Sequence, residues 1–215
     1  MSIETHTRRA AARQVLVDHL ASQERNGWTP SQAKILDAFL RLAITNGFDS
    51  VTMRMIGRSV GIKAPSIYAH FPGGREEIVA ESLRWHFRQF GLALLDATDG
   101  SQTPDEFWDS MVRLHFVRQL TLPESNLWDL LVQTDRMAGI FTTDLRHRVA
   151  TWVEIHEDMY VAAAEDLGYH EPRAAVRTVV ALLESTTRWA PAVSSLDEAC
   201  GRAVALSRRL LEFAA

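Results

Sequence analysis

Apolar residues recur every three to four positions along most of the chain, which is the spacing that places them on one face of a helix. The clearest stripe follows Pro30 and consists of Ile35, Phe39, Leu42 and Ala43. Strand-like alternation of apolar and polar residues is scarce. The pattern therefore predicts a chain that is helical almost throughout.

Several helix starts carry capping sequences. Thr29-Pro30-Ser31-Gln32 and Thr103-Pro104-Asp105-Glu106 each place a threonine cap, then proline, then Gln or Glu three residues after the cap. Ser195-Leu196-Asp197-Glu198 has the same form without the proline. Together with the stripes, these starts predict helices at Arg8–Gln23, Pro30–Asn46, Met53–Val60, Ala64–His70, Arg75–Thr98, Pro104–Leu120, Pro123–Ala138, Thr143–Leu167, Pro172–Ala190 and Leu196–Phe213.

The predicted helix Ala64–His70 is too short to be stable alone. It follows the tight turn Val60-Gly61-Ile62 and carries Ile67, with Phe71 just beyond its end, as apolar anchors. Gly57, in the helix before the turn, has no side chain and permits another helix to approach closely. A short helix that is clamped by its neighbours and presented outward is typical of a helix-turn-helix, whose second helix enters the major groove of DNA.

Thr29 to Leu83 resembles the DNA-binding domain of the TetR family of bacterial one-component regulators. The segments that carry the resemblance are Ile35-Leu36-Asp37-Ala38-Phe39, Gly47-Phe48, Val51-Thr52-Met53-Arg54-Met55-Ile56-Gly57, Val60-Gly61-Ile62, Ser66-Ile67-Tyr68-Ala69-His70-Phe71 and Arg75-Glu76-Glu77-Ile78. The resemblance implies an all-α fold: a three-helix DNA-binding domain with a helix-turn-helix, followed by a helical-bundle domain for ligand binding and dimerisation. The implied domains are an N-terminal extension (1–28, with a possible extra helix), the DNA-binding domain (29–74), and the effector-binding and dimerisation domain (75–215).

By resemblance, Thr52, Tyr68, His70 and Arg75 should contact phosphates, and Lys63, Ala64 and Ser66 should lie near base edges. Other interpretations stay open at this point. Lys63 is also compatible with a solvated turn, Tyr68 with a half-buried core position, and His70 with a helix cap. The family commonly has Ser or Thr at position 63 and Ala at position 57, and usually one residue fewer between Phe71 and Arg75. These departures leave the operator sequence open.

Charge is unevenly distributed along a chain whose net charge is −4. Residues 31–71 hold five basic and two acidic residues, whereas residues 91–215 hold 11 basic and 19 acidic ones. A basic module can dock on phosphate beside an acidic body, because attraction is local within a Debye length of about 8–10 Å. The basic residues Arg8, Arg9 and Arg13 allow the N-terminal helix either to pack on this module or to act as an arm in the minor groove.

The remaining composition favours a cytoplasmic protein without a membrane partner. The single cysteine, Cys200, rules out an internal disulfide. The charged N-terminal residues do not resemble a signal peptide, and no apolar run reaches 18 residues. We expect neither a cofactor nor a metal, since no two of the eight histidines stand three or four positions apart.

The region after Arg75 is expected to bind a small-molecule effector of unknown identity, because aromatic residues with nearby polar groups suit a mostly apolar cavity. The candidate lining residues are His86, Phe90, Phe107, Trp108, Met111, His115, Trp128, Trp152, His156, Met159 and Tyr160. The alternative is that these residues simply form a core.

The last two predicted helices resemble the dimerisation pair of the family. Their apolar faces consist of Val176, Val179, Val180 and Leu183 on one helix and Ala203, Leu206, Leu210 and Phe213 on the other. The alternative is that both faces are used in the core of the chain itself.

These features predict a homodimeric regulator that binds double-stranded DNA, most simply a repressor released from a palindromic operator by its effector. No nucleophile elbow, phosphate loop or paired metal motif indicates an enzyme. The alternative function is a helical adaptor that binds protein and has no affinity for DNA.

Overall fold

The computed structural model describes residues 7–24, 27–138, 141–190 and 195–213. Within these ranges the regular structure is helical, with no strand. The helices are α1 (Arg8–Glu24), α2 (Pro30–Asn46), α3 (Met53–Val60), α4 (Ala64–His70), α5 (Gly74–Thr98), α6 (Pro104–Thr121), α7 (Pro123–Ala138), α8 (Thr143–Asp166), α9 (Arg173–Glu184), α10 (Thr186–Trp189) and α11 (Leu196–Phe213). A 3-10 turn, Phe48–Ser50, lies between α2 and α3. None of the described helices is both long and apolar enough to cross a membrane.

Two of the three predicted capping boxes, those at Thr29 and Thr103, form as predicted, and at the third the Ser195 hydroxyl accepts the N–H of Glu198 at 3.2 Å. At the start of α2, the Thr29 hydroxyl accepts the backbone N–H of Gln32 at 3.2 Å, and the Gln32 side chain accepts the N–H of Thr29 at 2.9 Å. Thr103 and Glu106 make the same reciprocal pair at the start of α6. These bonds satisfy backbone donors that the first turn of a helix leaves without partners, which fixes where each helix begins.

The predicted helix Pro172–Ala190 is wrong in one respect, because the structure divides it into α9 and α10 at Ser185. The hydroxyl of Ser185 donates to the carbonyl of Leu182 at 3.0 Å, and that of Thr186 donates to Leu183 at 2.6 Å. The indole N–H of Trp189 also donates to the Leu182 carbonyl, at 2.6 Å. Side-chain donors thus compete for the carbonyls that would continue the helix.

The chain divides into two compact units. We call the first the helix-turn-helix unit; its described residues are 23–24, 27–90 and 123–138. The second, the bundle unit, comprises residues 7–22, 91–122, 141–190 and 195–213. This division falls within α5, at Phe90–Gly91. It differs from the limits 29–74 and 75–215 implied by the family resemblance. Those limits remain a prediction of which residues serve DNA binding and which serve effector binding and dimerisation.

The helix-turn-helix unit is built around apolar residues of α2 to α5. Its fully buried side chains include Ile35, Leu36, Phe39, Ile56, Ile67, Phe71 and Ile78. Phe48 of the 3-10 turn packs edge-on against Phe39, with ring centroids 5.8 Å apart. This core holds α3 and α4 in place although α4 is only seven residues long.

The first 15 residues of α1 belong to the bundle unit, so this helix is mainly a part of that unit and not of the DNA-binding module. Arg9 pairs with Asp166 at 3.1 Å, and Arg13 pairs with Asp99 at 3.1 Å. These basic side chains are therefore engaged within the bundle unit, which argues against an arm in the minor groove.

The bundle unit buries the apolar face of α9 within the chain itself. Val176, Val179 and Leu183 are fully buried, and Val180 nearly so. This corrects their assignment to a dimer interface, because an interface would leave them exposed in the single chain. On α11, Ala203 is also fully buried and Leu210 is half-buried, whereas Leu206 and Phe213 are exposed.

Candidate nucleic-acid interface

The α3–turn–α4 segment is shaped by backbone contacts that tolerate no side chain at Gly57. The N–H of Ile62 donates to the Gly57 carbonyl at 2.9 Å, and a Cβ built on Gly57 would stand 2.7 Å from the Ile62 carbonyl oxygen. Gly61 closes the turn in the left-handed region, with φ +75°, a conformation that glycine adopts without steric cost. The sequence therefore brings α4 tightly against α3.

Of the residues in α4, only Ile67 is buried. Pro65, Ser66, Tyr68 and Ala69 are exposed, as is the capping residue Lys63, while Ala64 and His70 are half-buried. Lys63 and Ser66, two of the three residues expected to meet base edges, therefore stand on the solvent side of the unit. This is the arrangement that major-groove entry requires.

The position of Tyr68 is compatible with both interpretations that the sequence left open, a phosphate contact and a half-buried core position. Its side chain is 49% exposed, and a Cβ on Gly74 would stand 3.1 Å from its ring carbon Cε1. One edge of the ring thus packs on the start of α5 and the rest faces solvent, as suits a residue with an apolar body and a polar tip.

His70 ties α4 to α2 through its main chain, since its carbonyl accepts the side-chain N–H of Gln32 at 3.1 Å. Its imidazole is half-buried at the end of α4. Thr52 is exposed and uses its hydroxyl to cap α3, accepting the N–H of Met55 at 3.2 Å. Both residues have structural roles besides the DNA contacts predicted for them.

Arg75 has a structural role that the sequence did not reveal. Its guanidinium donates to the carbonyl of Phe48 at 2.8 Å, lies over the Phe48 ring at 4.6 Å from the centroid, and pairs with Asp49 at 3.8 Å. These contacts fasten the first turn of α5 to the 3-10 turn before α3. Phe48 could be identified as the partner of Arg75 only from its packing beside α5, because this contact joins residues that are distant along the chain.

Residues 35–81 match the family model described as bacterial regulatory proteins, tetR family. The chain carries the N-terminal domain of the TetR family. This match covers α2 to the first part of α5, and therefore includes the helix-turn-helix and the exposed face of α4.

Solved structures of TetR-family proteins share the fold over most of the chain. A regulatory protein in the tetR family from Rhodococcus RHA1 is 16% identical, with a TM-score of 0.71 over 85% of this chain and 97% of its own. PfmR, a TetR family transcriptional regulator from Thermus thermophilus, is 19% identical, with a TM-score of 0.64 over 85% and 96%. AibR in complex with isovaleryl coenzyme A and operator DNA is 13% identical, with a TM-score of 0.62 over 81% and 96%. No curated protein matches the chain.

The candidate effector residues are divided between the two compact units. His86, Phe90 and Trp128 belong to the helix-turn-helix unit, and the other eight belong to the bundle unit. In the helix-turn-helix unit, the rings of His86 on α5 and Trp128 on α7 lie 6.3 Å apart. The sequence-based lining thus includes residues of both units, and it stays a prediction.

Within the bundle unit, the rings of His115, His156 and Tyr160 are mutual neighbours, and the His115 and His156 centroids are 5.3 Å apart. The Tyr160 hydroxyl donates to the Met111 carbonyl at 3.2 Å. Burial lowers the pKa of His115 well below its usual value, with repulsion from His156 and Arg118 adding to the effect, and burial lowers the pKa of His156 to about 4. Both imidazoles are therefore neutral at physiological pH and act as polar members of a packed aromatic cluster.

Within the described ranges, no group of three or more His, Cys, Asp or Glu residues is placed to hold a metal ion. The Cys200 thiol is buried on α11, and burial raises its pKa. A raised pKa leaves little thiolate, so this cysteine is a poor nucleophile.

Proposed function

We propose that the protein is a sequence-specific DNA-binding transcriptional regulator that uses α4 as its recognition helix. The observation that carries the proposal is the exposure of α4, which buries Ile67 alone and leaves Ser66 and Tyr68 in solvent beside Lys63. Because α4 contributes only Ile67 to the core, its exposed position against the neighbouring helices is best explained by recognition of DNA. The TetR-family match over residues 35–81 supports this interpretation.

The residues of α4 and its surroundings divide into positioning and reading groups. Lys63 and Ser66 can donate to base acceptors in the major groove, where a lysine meets the N7 and O6 of guanine. Tyr68, together with Thr52 and His70, is suited to phosphate oxygens, which set the register of the protein on DNA without reading its sequence. The guanidinium of Arg75 already binds the Phe48 carbonyl and pairs with Asp49, so we assign it first to structure and propose phosphate contact as its second role.

We further propose that two copies form a homodimer through α11. Its exposed apolar residues Leu196, Leu206 and Phe213 lie along one helix whose buried face already serves the bundle unit. A two-fold dimer would present two α4 helices to half-sites about 34–36 Å apart, or a multiple of that distance. The operator should then be roughly palindromic.

The regulatory mechanism in this proposal is repression relieved by a small molecule. AibR, which shares the fold, is described in complex with both isovaleryl coenzyme A and operator DNA. In the present chain, α5 contributes residues 74–90 to the helix-turn-helix unit and residues 91–98 to the bundle unit. A ligand that shifts α5 would alter the presentation of α4, and DNA must then weaken ligand binding by the same factor. A regulator of this kind acts in the cytoplasm, where it meets DNA.

The proposal is tested by selecting DNA from a random library with the full chain. We expect enrichment of a palindromic motif, and loss of that enrichment with the Lys63→Ala/Ser66→Ala variant. Recovery of no motif at low salt would favour the protein-binding adaptor instead. An Arg148→Ala variant, changed on an exposed face of the bundle unit, is the matched control and should select the same motif.

A further inference from the structure

Three buried polar groups of the helix-turn-helix unit have no hydrogen-bond partner within the described chain. They are the hydroxyl of Ser82 on α5, the hydroxyl of Ser125 on α7 and the indole N–H of Trp128 on α7. All three residues are at least 97% buried. Burying such a group unpaired is unfavourable, and folded proteins pair the large majority of them.

The bundle unit shows how this chain satisfies the same groups elsewhere. The indole N–H of Trp108 donates to the hydroxyl of Ser207 at 2.9 Å, and that hydroxyl donates to the Val204 carbonyl at 2.8 Å. The buried hydroxyl of Thr98 likewise donates to Leu94 at 2.8 Å. The lack of a partner is therefore not a general property of the buried hydroxyls and indoles of this chain.

A ring contact between His86 and Trp128 joins the two helices that carry the three unpaired groups. Ser82 is one turn before His86 on α5, and Ser125 is one turn before Trp128 on α7, so each pair shares a helix face. The rings of His86 and Trp128 are in contact, with centroids 6.3 Å apart, and His86 is itself buried. We call Ser82, His86, Ser125 and Trp128 the α5–α7 polar cluster.

We propose that the α5–α7 polar cluster binds a small uncharged molecule that carries a carbonyl oxygen on an apolar body. An indole N–H only donates, and both serine hydroxyls can donate, so the complementary ligand atom is an acceptor. The nearby guanidinium of Arg84 is engaged by Glu81 at 2.6 Å and by the Trp28 ring, so it offers no free charge to an anion. The rings of His86 and Trp128 supply flat apolar faces beside the donors.

This inference rests on the proposed regulatory function, because it assigns the α5–α7 polar cluster as the binding site of the effector. It differs from the lining predicted from sequence, which mixed residues of both units and lacked Ser82 and Ser125. The cluster lies in the unit that also carries α4, so ligand binding and DNA recognition share one packed core. A molecule that bridges α5 and α7 would change the support of α4 directly.

The first test compares buried serines by thermal unfolding of the full chain. Because Ser82 and Ser125 lack partners, Ser82→Ala and Ser125→Ala should have a Tm at or above that of the wild type. Ser207→Ala is the matched control, a buried helical serine that is paired with a tryptophan, and it should lower the Tm. If Ser82→Ala and Ser125→Ala lower the Tm as Ser207→Ala does, the groups are satisfied by protein or by ordered water only, and the proposal is overturned.

The second test uses acetophenone and ethylbenzene, which have the same shape apart from the carbonyl oxygen. The readout is the indole ¹H–¹⁵N resonance of Trp128 in the full chain labelled with ¹⁵N-tryptophan, assigned from the Trp128→Phe variant. Acetophenone should shift this resonance and ethylbenzene should not, and the Ser82→Ala/Ser125→Ala variant should bind acetophenone about tenfold more weakly. An equal response to both compounds, or none to acetophenone, overturns the proposal.

Neither readout involves DNA. Failure of these two tests with DNA selection intact would remove the ligand site and leave the regulator. Failure of DNA selection with both tests passed would remove the regulator and leave a ligand-binding protein.

Discussion

Gly57 and Ile62 approach so closely that a Cβ on Gly57 would stand 2.7 Å from the carbonyl oxygen of Ile62. Gly57→Ala should therefore push α3 away from the turn before α4 and lower the free energy of unfolding by about 1–3 kcal/mol, as overpacking does. Urea denaturation of the purified protein measures this loss.

Gly201→Ala is the matched control for that substitution, because Gly201 is also helical but a Cβ there meets nothing within 4 Å. It should leave stability unchanged or raise it by up to about 1 kcal/mol, since alanine is the better helix former. Equal stability of the two variants would contradict the close approach of α3 to the turn.

Arg75 should matter for stability even in the absence of DNA. Arg75→Ala removes the hydrogen bond to the Phe48 carbonyl and the cation–π contact with its ring, which together are worth about 1–2 kcal/mol. Thermal unfolding should show a lower Tm than for Arg58→Ala, an exposed arginine of α3. A Tm equal to that of Arg58→Ala would show that the contacts of Arg75 to Phe48 do not stabilise the fold.

Helix limits were predictable from the sequence where local chemistry decides them. The ends of α2, α3, α4, α7 and α11 agree with prediction because caps, prolines and turn glycines are read from neighbouring residues. The division between α9 and α10 was not predictable from periodicity, since it depends on where the Trp189 indole and the Ser185 hydroxyl find a carbonyl.

The candidate sites were likewise predictable where neighbouring residues decide them and not where contacts between distant residues do. The exposure of Lys63 and Ser66 was predictable, because the apolar anchor Ile67 fixes which face of the short α4 is buried. The α5–α7 polar cluster was not, because it joins side chains about forty residues apart along the chain and depends on which hydroxyls remain unpaired. Contacts between distant helices carry no local signature.

The buried histidines of the bundle unit make stability depend on pH. In the folded protein the pKa of His156 is about 4 and that of His115 is also well below the usual 6.5, whereas both groups take up protons near pH 6.5 once unfolded. The stabilisation is complete above pH 6.5. As the pH falls from 6.5 towards 4, the free energy of unfolding should drop by up to about 1.4 kcal/mol per pH unit for each histidine.

Urea denaturation at a series of pH values measures this slope. The slope should decrease in His156→Gln and stay unchanged in His147→Gln, which alters an exposed histidine of the same helix. A slope that is the same in all three proteins would show that these imidazoles do not cause the acid sensitivity.

The exposed apolar face of α11 should support the dimer. Leu206→Glu places a charge on that face and should shift the protein from dimer to monomer in sedimentation velocity, with weaker DNA binding as a consequence. Leu120→Glu, at a comparably exposed leucine of α6, is the control and should remain dimeric. A dimer that persists in Leu206→Glu would place the interface elsewhere.

Recognition of DNA by the outer face of α4 is tested most directly by measuring the affinity of the Lys63→Ala/Ser66→Ala/Tyr68→Phe variant for the selected DNA over a salt series. These three side chains are exposed, so the variant should unfold at the wild-type temperature. We predict binding at least about a hundredfold weaker, and a slope of log K against log salt concentration reduced by about one through the loss of Lys63. Wild-type affinity and an unchanged slope in this variant would contradict the account.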